Sequence, residues 1–199
     1  MRTAGTGSKM LEYETILRDK LTGSRYDHVR AVCTCAGELA DLYGIDRENA
    51  ELAGLLHDYA RDMHPDDLLR IGRARKLVTC NVEEQVPVLL HGPVGAVLIK
   101  EELGINDIQV LDAVALHTLA GPGMGRLAQV IYIADLIAVG RDFPAVSHLR
   151  NLARENLDKA LLECIASTIC YCLERRQLIH PQTIEAWNFY SIGNREEGI

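Results

Sequence analysis

The stretch Val130-Ile131-Tyr132-Ile133-Ala134-Asp135-Leu136-Ile137-Ala138 sets one carboxylate inside an otherwise apolar run. A run of this kind belongs inside a fold, where Asp135 has almost nowhere polar to point. An ionised carboxylate in such a place is costly unless a cation or a set of donors meets it, so the chain has to bring a partner from elsewhere. A second stretch, Ala50-Glu51-Leu52-Ala53-Gly54-Leu55-Leu56-His57-Asp58-Tyr59-Ala60-Arg61, poses the same problem with an imidazole and a carboxylate side by side. A metal ion is the partner both side chains would serve. Histidine offers a neutral nitrogen, and the carboxylate offers charge and a second oxygen that can bridge to another ion. Alone, the pair reads as well as a satisfied core histidine beside an exposed helix-end aspartate. The other histidines and aspartates shift that balance.

The rhythm of the chain is helical nearly throughout. Met10, Tyr13, Leu17 and Leu21 follow the spacing of an amphipathic helix closed by Gly23. Ser24 with Asp27 reads as a capping box for a second helix reaching Tyr43. Its inward stripe is His28, Val32, Cys35, Leu39 and either Leu42 or Tyr43, and Gly44 ends it. Asp46 caps a third helix that carries His57 and Asp58 in its last turns. His64-Pro65 opens a short helix with proline at its first position, and residues 70–76 make a polar, basic connection. Residues 81–90 read as a helix containing Pro87, His91-Gly92-Pro93 as a break, and residues 94–103 as a helix stopped by Gly104. Asn106 or Asp107 caps the next, where Val110, Val114 and His117 share a face.

Residues 118–125, with Gly121, Gly123, Gly125 and Pro122, form a loop ahead of the apolar helix over 126–139. A turn over 140–144, a long amphipathic helix over 157–176, and a final helix with Trp187 complete the chain. Period-2 alternation of useful length is absent, so the fold class is all-α. A single domain over residues 10–190 is expected, with a flexible segment 1–9 before it and a tail 191–199 after it. Glycine-rich phosphate loops in a strand-to-helix setting are missing.

Composition removes several functions. A formal net charge of -7 argues against a nucleic-acid polymer as partner, because phosphate backbones are bound by basic surfaces. A single nucleotide stays open, since a metal supplies positive charge locally. Aromatic residues at 5% provide no stacking platform for single-stranded RNA. Apolar runs fall short of a membrane span, being interrupted at His91 and Asp135, and the Gly/Ser/Thr-rich start is no signal peptide, so a cytoplasmic protein is expected. Cys33, Cys35, Cys80, Cys164, Cys170 and Cys172 form no Cys-x-x-Cys pair and read as small buried hydrophobes, with no disulfides implied.

His28, His57, Asp58, His91, His117 and Asp135 are the polar residues that interrupt apolar helical faces. Their order resembles the H…HD…D signature of the HD-domain phosphohydrolases, an all-α superfamily. Further blocks are similar to the YqeK-type symmetrical bis(5'-nucleosyl)-tetraphosphatases: Asp27-His28-Val29, Leu90-His91-Gly92-Pro93-Val94-Gly95-Ala96, Leu116-His117-Thr118, Gly140-Arg141-Asp142-Phe143 and Ile179-His180-Pro181-Gln182-Thr183. The resemblance implies an HD-type helical bundle with a metal site between its central helices. The implied reaction cleaves diadenosine tetraphosphate symmetrically into two nucleoside diphosphates. It implies metal ligation by His28, His57, Asp58 and Asp135, with His91 and His117 either completing a second site or hydrogen-bonding the substrate phosphates. Asp58, His91 and His117 are then the catalytic candidates. Thr118, Arg61 and Arg141 are candidates for holding phosphate, and the stretch Leu178, Ile179, His180, Pro181, Gln182 and Thr183 for packing on the nucleoside. The metal implied is iron, with manganese, cobalt, nickel and zinc suited by the same ligands.

Plainer readings accompany several of these residues. Arg61 reads equally as a solvated helix-end cation, His180 as a helix-entry residue, and His64 and His148 as surface residues. Two departures bear on substrate choice. Leu119-Ala120-Gly121-Pro122-Gly123-Met124 replaces an expected threonine-glycine-basic sequence, and Leu136-Ile137-Ala138-Val139 replaces tyrosine, isoleucine, glutamate and proline. The competing functions are another HD phosphohydrolase acting on a nucleotide or alarmone, a regulatory HD module without turnover, and a purely structural bundle. The expected partner is a small nucleotide, with a homodimer as the assembly considered.

Overall fold

The computed structural model describes the backbone of residues 4–196 and the side chains of residues 9–192. Among the described residues there is no strand. The helices are α1 (Ala4–Lys20), α2 (Gly23–Tyr43), α3 (Arg47–Leu56), α4 (Pro65–Ala74), α5 (Asn81–Gln85), α6 (His91–Leu103), α7 (Ile108–Leu116), α8 (Arg126–Ile137), α9 (Val146–Glu155), α10 (Leu157–Glu174) and α11 (Pro181–Glu196), with a 3-10 turn at Pro87–Leu90.

The apolar run around Asp135 becomes α8, the helix the bundle is built around. It packs against α2, α3, α7, α9 and α10. Every residue from Leu127 to Ala134 is buried, which accounts for a helix that is apolar on all sides. Ile131, Tyr132 and Ile133 are wholly enclosed, each contributing about 1.5–3 kcal/mol of burial. The Tyr132 hydroxyl bonds Thr168 Oγ1 at 3.0 Å, so its polar tip is satisfied. A smaller core of Ala60, Leu68, Leu90 and Val94 lies under α4.

Local signals place most boundaries. Asp46 accepts from the Asn49 amide and Asp107 from the Gln109 amide, capping α3 and α7. Gly44 and Gly104 end α2 and α6 in the left-handed conformation. Other boundaries differ from the sequence reading. Gly23 opens α2 rather than closing α1, and the cap is Thr22, without the side-chain bond a Ser24 box would make. α4 continues to Ala74 through most of the expected basic connection. Pro87 divides the expected 81–90 helix, because it lacks an N–H and pushes Val86 out of helical geometry (φ -132, ψ 70). His91-Gly92-Pro93 is the start of α6, with Pro93 in the first turn, where a missing N–H costs nothing.

The short helix α9, with Val146, Leu149 and Ala153 buried at helical spacing, is an element the sequence reading lacks. Residues 4–9 of the segment expected to be flexible belong to α1, and α11 extends into the expected tail; residues 1–3 and 197–199 lie outside the described residues. On α2, Leu42 is exposed and Tyr43 turns inward, donating to the Ala153 carbonyl at 2.8 Å. Among the cysteines only Cys164 is fully buried, and Cys170 is exposed. Burial pushes the thiols of Cys164 and Cys35 up to about 12 and about 11, which keeps them unreactive. Among the described residues no helix is long and apolar enough to cross a membrane.

Candidate metal centre

Three histidines are presented by one device. His57 follows the last residue of α3 and its Nδ1 lies 2.8 Å from the Gly54 carbonyl three residues back. His117 follows α7 and bonds the Val114 carbonyl at 2.7 Å in the same way. His91, at the junction of the 3-10 turn and α6, bonds the Val88 carbonyl. A carbonyl only accepts, so each ring carries its proton on Nδ1 and turns a bare Nε2 away from its own helix.

Two glycines decide what those Nε2 atoms meet. A Cβ on Gly54 would lie 2.9 Å from Cys33 Cα, so only glycine lets α3 close on α2 and bring His57 beside His28. A Cβ on Gly92 would meet the Ala115 carbonyl at 2.9 Å, so the start of α6 can lie against the end of α7. His91 Nε2 then reaches within 2.9 Å of His117 Nε2.

The outcome is a row of imidazoles. Ring centres are 5.3 Å apart for His28 and His57, 4.8 Å for His57 and His117, and 4.8 Å for His117 and His91. Asp58 lies along the row. Its Oδ1 is 3.2 Å from His91 Nε2 and 3.6 Å from His117 Nε2, while Oδ2 is 3.5 Å from His57 Nε2. Asp135 Oδ1 is 2.8 Å from His28 Nε2 and 3.9 Å from His57 Nε2. Donor atoms of His28, His57 and Asp58 lie within 4.8 Å of one another, as do those of Asp58, His91 and His117, so Asp58 is common to both triads. His57, His117 and Asp135 make a third such group.

The electrostatics favour a cation. Burial lowers the His57 pKa to about 4, so the ring is neutral near pH 7, and its Nε2 is buried without a hydrogen-bond partner. Burial works to raise Asp58, yet His57, His117 and His91 hold its carboxyl well below the usual range. Burial likewise opposes ionisation of Asp135, and His28, His57 and Arg141 overcome it. Burial lowers His91, whereas His117 is raised because Asp58 outweighs its burial. Two bare Nε2 atoms 2.9 Å apart repel unless a proton or a cation settles between them. A neutral imidazole lone pair left unpaired in a buried site, flanked by two carboxylates, fits a divalent transition metal, and the shared Asp58 suits a bridging ligand.

The remaining candidates fall in three places. Thr118 Oγ1 lies 3.2 and 3.1 Å from the Nε2 atoms of His91 and His117. Arg141 reaches Asp135 twice, through the carboxylate and at 2.8 Å through the backbone carbonyl, and stands 3.3 Å from His28 Nε2. Arg61 is half-buried and makes no ion pair among the described residues. The turn over 178–183 stays outside the cluster. Gln182 and Thr183 bond the carbonyls of Ala120 and Leu119 in the loop after Thr118. The His180 ring is spent: Nδ1 accepts from the Gln182 amide at 3.1 Å, and Nε2 faces Glu83 and Cys80. Leu178 is exposed, Ile179 half-buried and Pro181 exposed. His64 and His148 are exposed, as read from sequence.

One member of the site is missing from the sequence reading. Arg25 Nη1 donates to Asp58 Oδ2 at 2.9 Å from the first turns of α2. Its signal in the sequence is its place three residues before His28, one helical turn along the same face.

This arrangement, histidines and aspartates from several helices meeting inside a strandless bundle, defines an HD domain. The chain belongs to the HD-domain family, whose model matches residues 25–140. It is 36% identical over 178 residues to the symmetrical bis(5'-nucleosyl)-tetraphosphatase of Bacillus subtilis (strain 168), covering 89% of this chain and 95% of that protein. The protein of the same name from Staphylococcus aureus (strain NCTC 8325 / PS 47) is 33% identical, with 88% and 91% covered. The crystal structure of a predicted HD superfamily hydrolase involved in NAD metabolism from Clostridium acetobutylicum superposes with a TM-score of 0.88 at 36% identity, over 92% of this chain and 96% of that one.

Proposed function

We infer that the protein is a metal-dependent hydrolase that cleaves dinucleoside tetraphosphates at the central anhydride, releasing two nucleoside diphosphates. The observation that supports this most directly is the buried, unpartnered Nε2 of His57 with Asp58 and Asp135 to either side. His28, His57, Asp58 and Asp135 would hold a metal, and Asp58 also faces His91 and His117. Iron is the ion we propose, in a cytoplasmic enzyme. Bound there, the metal supplies Lewis acidity toward a phosphoryl oxygen and an activated water.

The chain's own groups divide the rest of the work. Asp58, central to both triads, orients the attacking water. His91, kept neutral by burial, accepts its proton at Nε2. His117, raised by Asp58, takes that proton across the 2.9 Å onto its own bare Nε2 and delivers it to the oxygen of the departing diphosphate. Two like groups whose surroundings push their pKa values apart suit an acid and a base. Water adds across one P–O–P bridge, its hydroxyl to one phosphorus and its proton to the leaving oxygen. Arg25 and Arg141 offset the charge of the tetraphosphate, the latter able to grip two oxygens at once. The turn over 178–183 receives one nucleoside through its backbone, since the His180 ring is committed elsewhere.

The test is product analysis of the anaerobically purified protein, with its metal content measured, on diadenosine tetraphosphate. ADP alone is the expected product. AMP with ATP would refute symmetrical cleavage, and no turnover with metal bound would move the activity to another phosphorylated nucleotide.

A further inference from the structure

A tetraphosphate cut at its centre carries a nucleoside on each side of the reacting bond, so the site has to accommodate two nucleosides. The imidazole row has two ends. At the His91–His117 end lies the loop after Thr118 with the 178–183 turn bonded to it. At the His28–Asp135 end a second feature opens, a cleft of about 640 Å³ between α2, the chain leaving α8, and α9.

Three observations tie this cleft to the site. Its floor includes Ala31, Cys35, Leu39 and Leu42, which continue from His28 at helical spacing along the same face of α2. The cleft therefore begins about one helical turn along α2 from His28. Its opposite wall is Ala138 and Val139, in the turn that sends Arg141 back to Asp135 and His28. Arg150 secures that turn by donating to the carbonyls of Ile137, Ala138 and Arg141 at 2.8, 3.1 and 3.1 Å. Finally, the walls are apolar where folding gives no reason for it: Leu42 is 52% and Val139 83% exposed, beneath a rim in which Arg30 and Arg154 outnumber Glu38. Aliphatic walls under a cationic rim, with an arginine at the threshold, match a nucleoside followed by its phosphates, and the volume is that of a small-molecule site.

We propose that this cleft binds the second nucleoside of the dinucleotide, with Arg141 holding the phosphates that join it to the reacting centre. The proposal rests on the tetraphosphatase reading. Of the residues that replace the expected ones after Asp135, Ile137, Ala138 and Val139 are then part of the wall that selects this half of the substrate.

The experiment compares diadenosine tetraphosphate with adenosine 5'-tetraphosphate, which has one nucleoside, in the metal-loaded wild type and in Ala31→Trp and Thr34→Trp, the latter at an exposed position. The ratio of kcat/KM for the two substrates is expected to fall about tenfold or more in the variants. Calorimetry with a methylene-bridged, uncleavable diadenosine tetraphosphate is expected to show the same loss of affinity, with a much smaller change for ADP. An unchanged ratio and affinity in both variants, or equal losses on both nucleotides, overturns the cleft assignment while leaving the tetraphosphatase reading intact. A wild type that leaves the dinucleotide uncut sinks that reading, and the calorimetry still reports on the cleft. If sedimentation shows Thr34→Trp changing the assembly state while the ratio stays fixed, the cleft seats a second copy of the chain and the proposal falls.

Discussion

The cluster of His28, His57, Asp58, His91, His117 and Asp135 has a counterpart elsewhere in the molecule, formed by Cys80, Glu83 and His180. Both contain triads whose donor atoms lie within 4.8 Å of one another. They differ in what those atoms already do. Glu83 accepts from the Thr79 and Cys80 amides and from the Thr79 hydroxyl, closing the first turn of α5. His180 Nδ1 accepts from the Gln182 amide, so its proton sits on Nε2 and points at Glu83 Oε1, 3.3 Å away, with Cys80 Sγ at 3.4 Å. Each atom there has a partner, and the group fastens α11 to α5. In the central cluster the tautomers run the other way, with Nδ1 of three rings bonded to carbonyls and Nε2 left bare. Ligand spacing is common to both places. Which nitrogen is free is what separates a strap from a candidate metal centre.

Substitutions can break that comparison. Asp58→Ala removes the residue shared by two triads and is expected to abolish bound metal, measured by elemental analysis, and to reduce hydrolysis well beyond the roughly 10–100-fold typical of outer-sphere changes. Full activity in this variant would overturn the site. Stripping the metal with a chelator should lower the melting temperature, with a loss of stability of about 2.7 kcal/mol relative to protein held at free metal 100 times the dissociation constant.

In the stripped protein, pH probes His57 directly. Its folded pKa, near 4, lies below the ordinary 6.5, so the neutral ring contributes stability above pH 6.5 that is lost as pH falls toward 4. The contribution is on the order of 3 kcal/mol. His117, shifted upward, contributes stability that is fully present below pH 6.5 and is lost as pH rises through its folded pKa. Chemical denaturation from pH 7 to pH 4 should therefore show a steeper loss in wild type than in His57→Asn. Glu83→Ala, which leaves the buried His180 Nε2–H without its carboxylate partner, should cost about 1–3 kcal/mol of stability with the metal content per chain unchanged. Cys80→Ser should alter stability by less than about 1 kcal/mol and leave metal content alone. Loss of metal in either of the last two would make the strap a second metal site.

Much of the central cluster is legible in the amino-acid sequence. Asp135 inside an apolar helix, and His57-Asp58 at the end of another, are visible because charge in such surroundings demands an explanation. Caps at Asp46 and Asp107 and glycine stops at Gly44 and Gly104 are legible because their chemistry is local. The Glu83–His180 strap is not, since its members lie nearly a hundred positions apart and each has an ordinary local role at a helix start. α9 is hard to read because its buried stripe is brief, and Arg25 because an arginine on a helix carries no signal until Asp58 stands opposite.

The residue pattern alone establishes that this chain is helical, that its most apolar helix carries a carboxylate needing a partner, and which histidines are candidates to supply it. The pairing and the direction come from the packed bundle. Helical period tells which face a side chain occupies, and says nothing of what that face meets. Here the meeting depends on backbones approaching so closely at Gly54 and Gly92 that a single methyl group would part them. It depends also on each ring's Nδ1 being claimed by its own helix, which leaves the other nitrogen turned toward a carboxylate from a distant part of the chain.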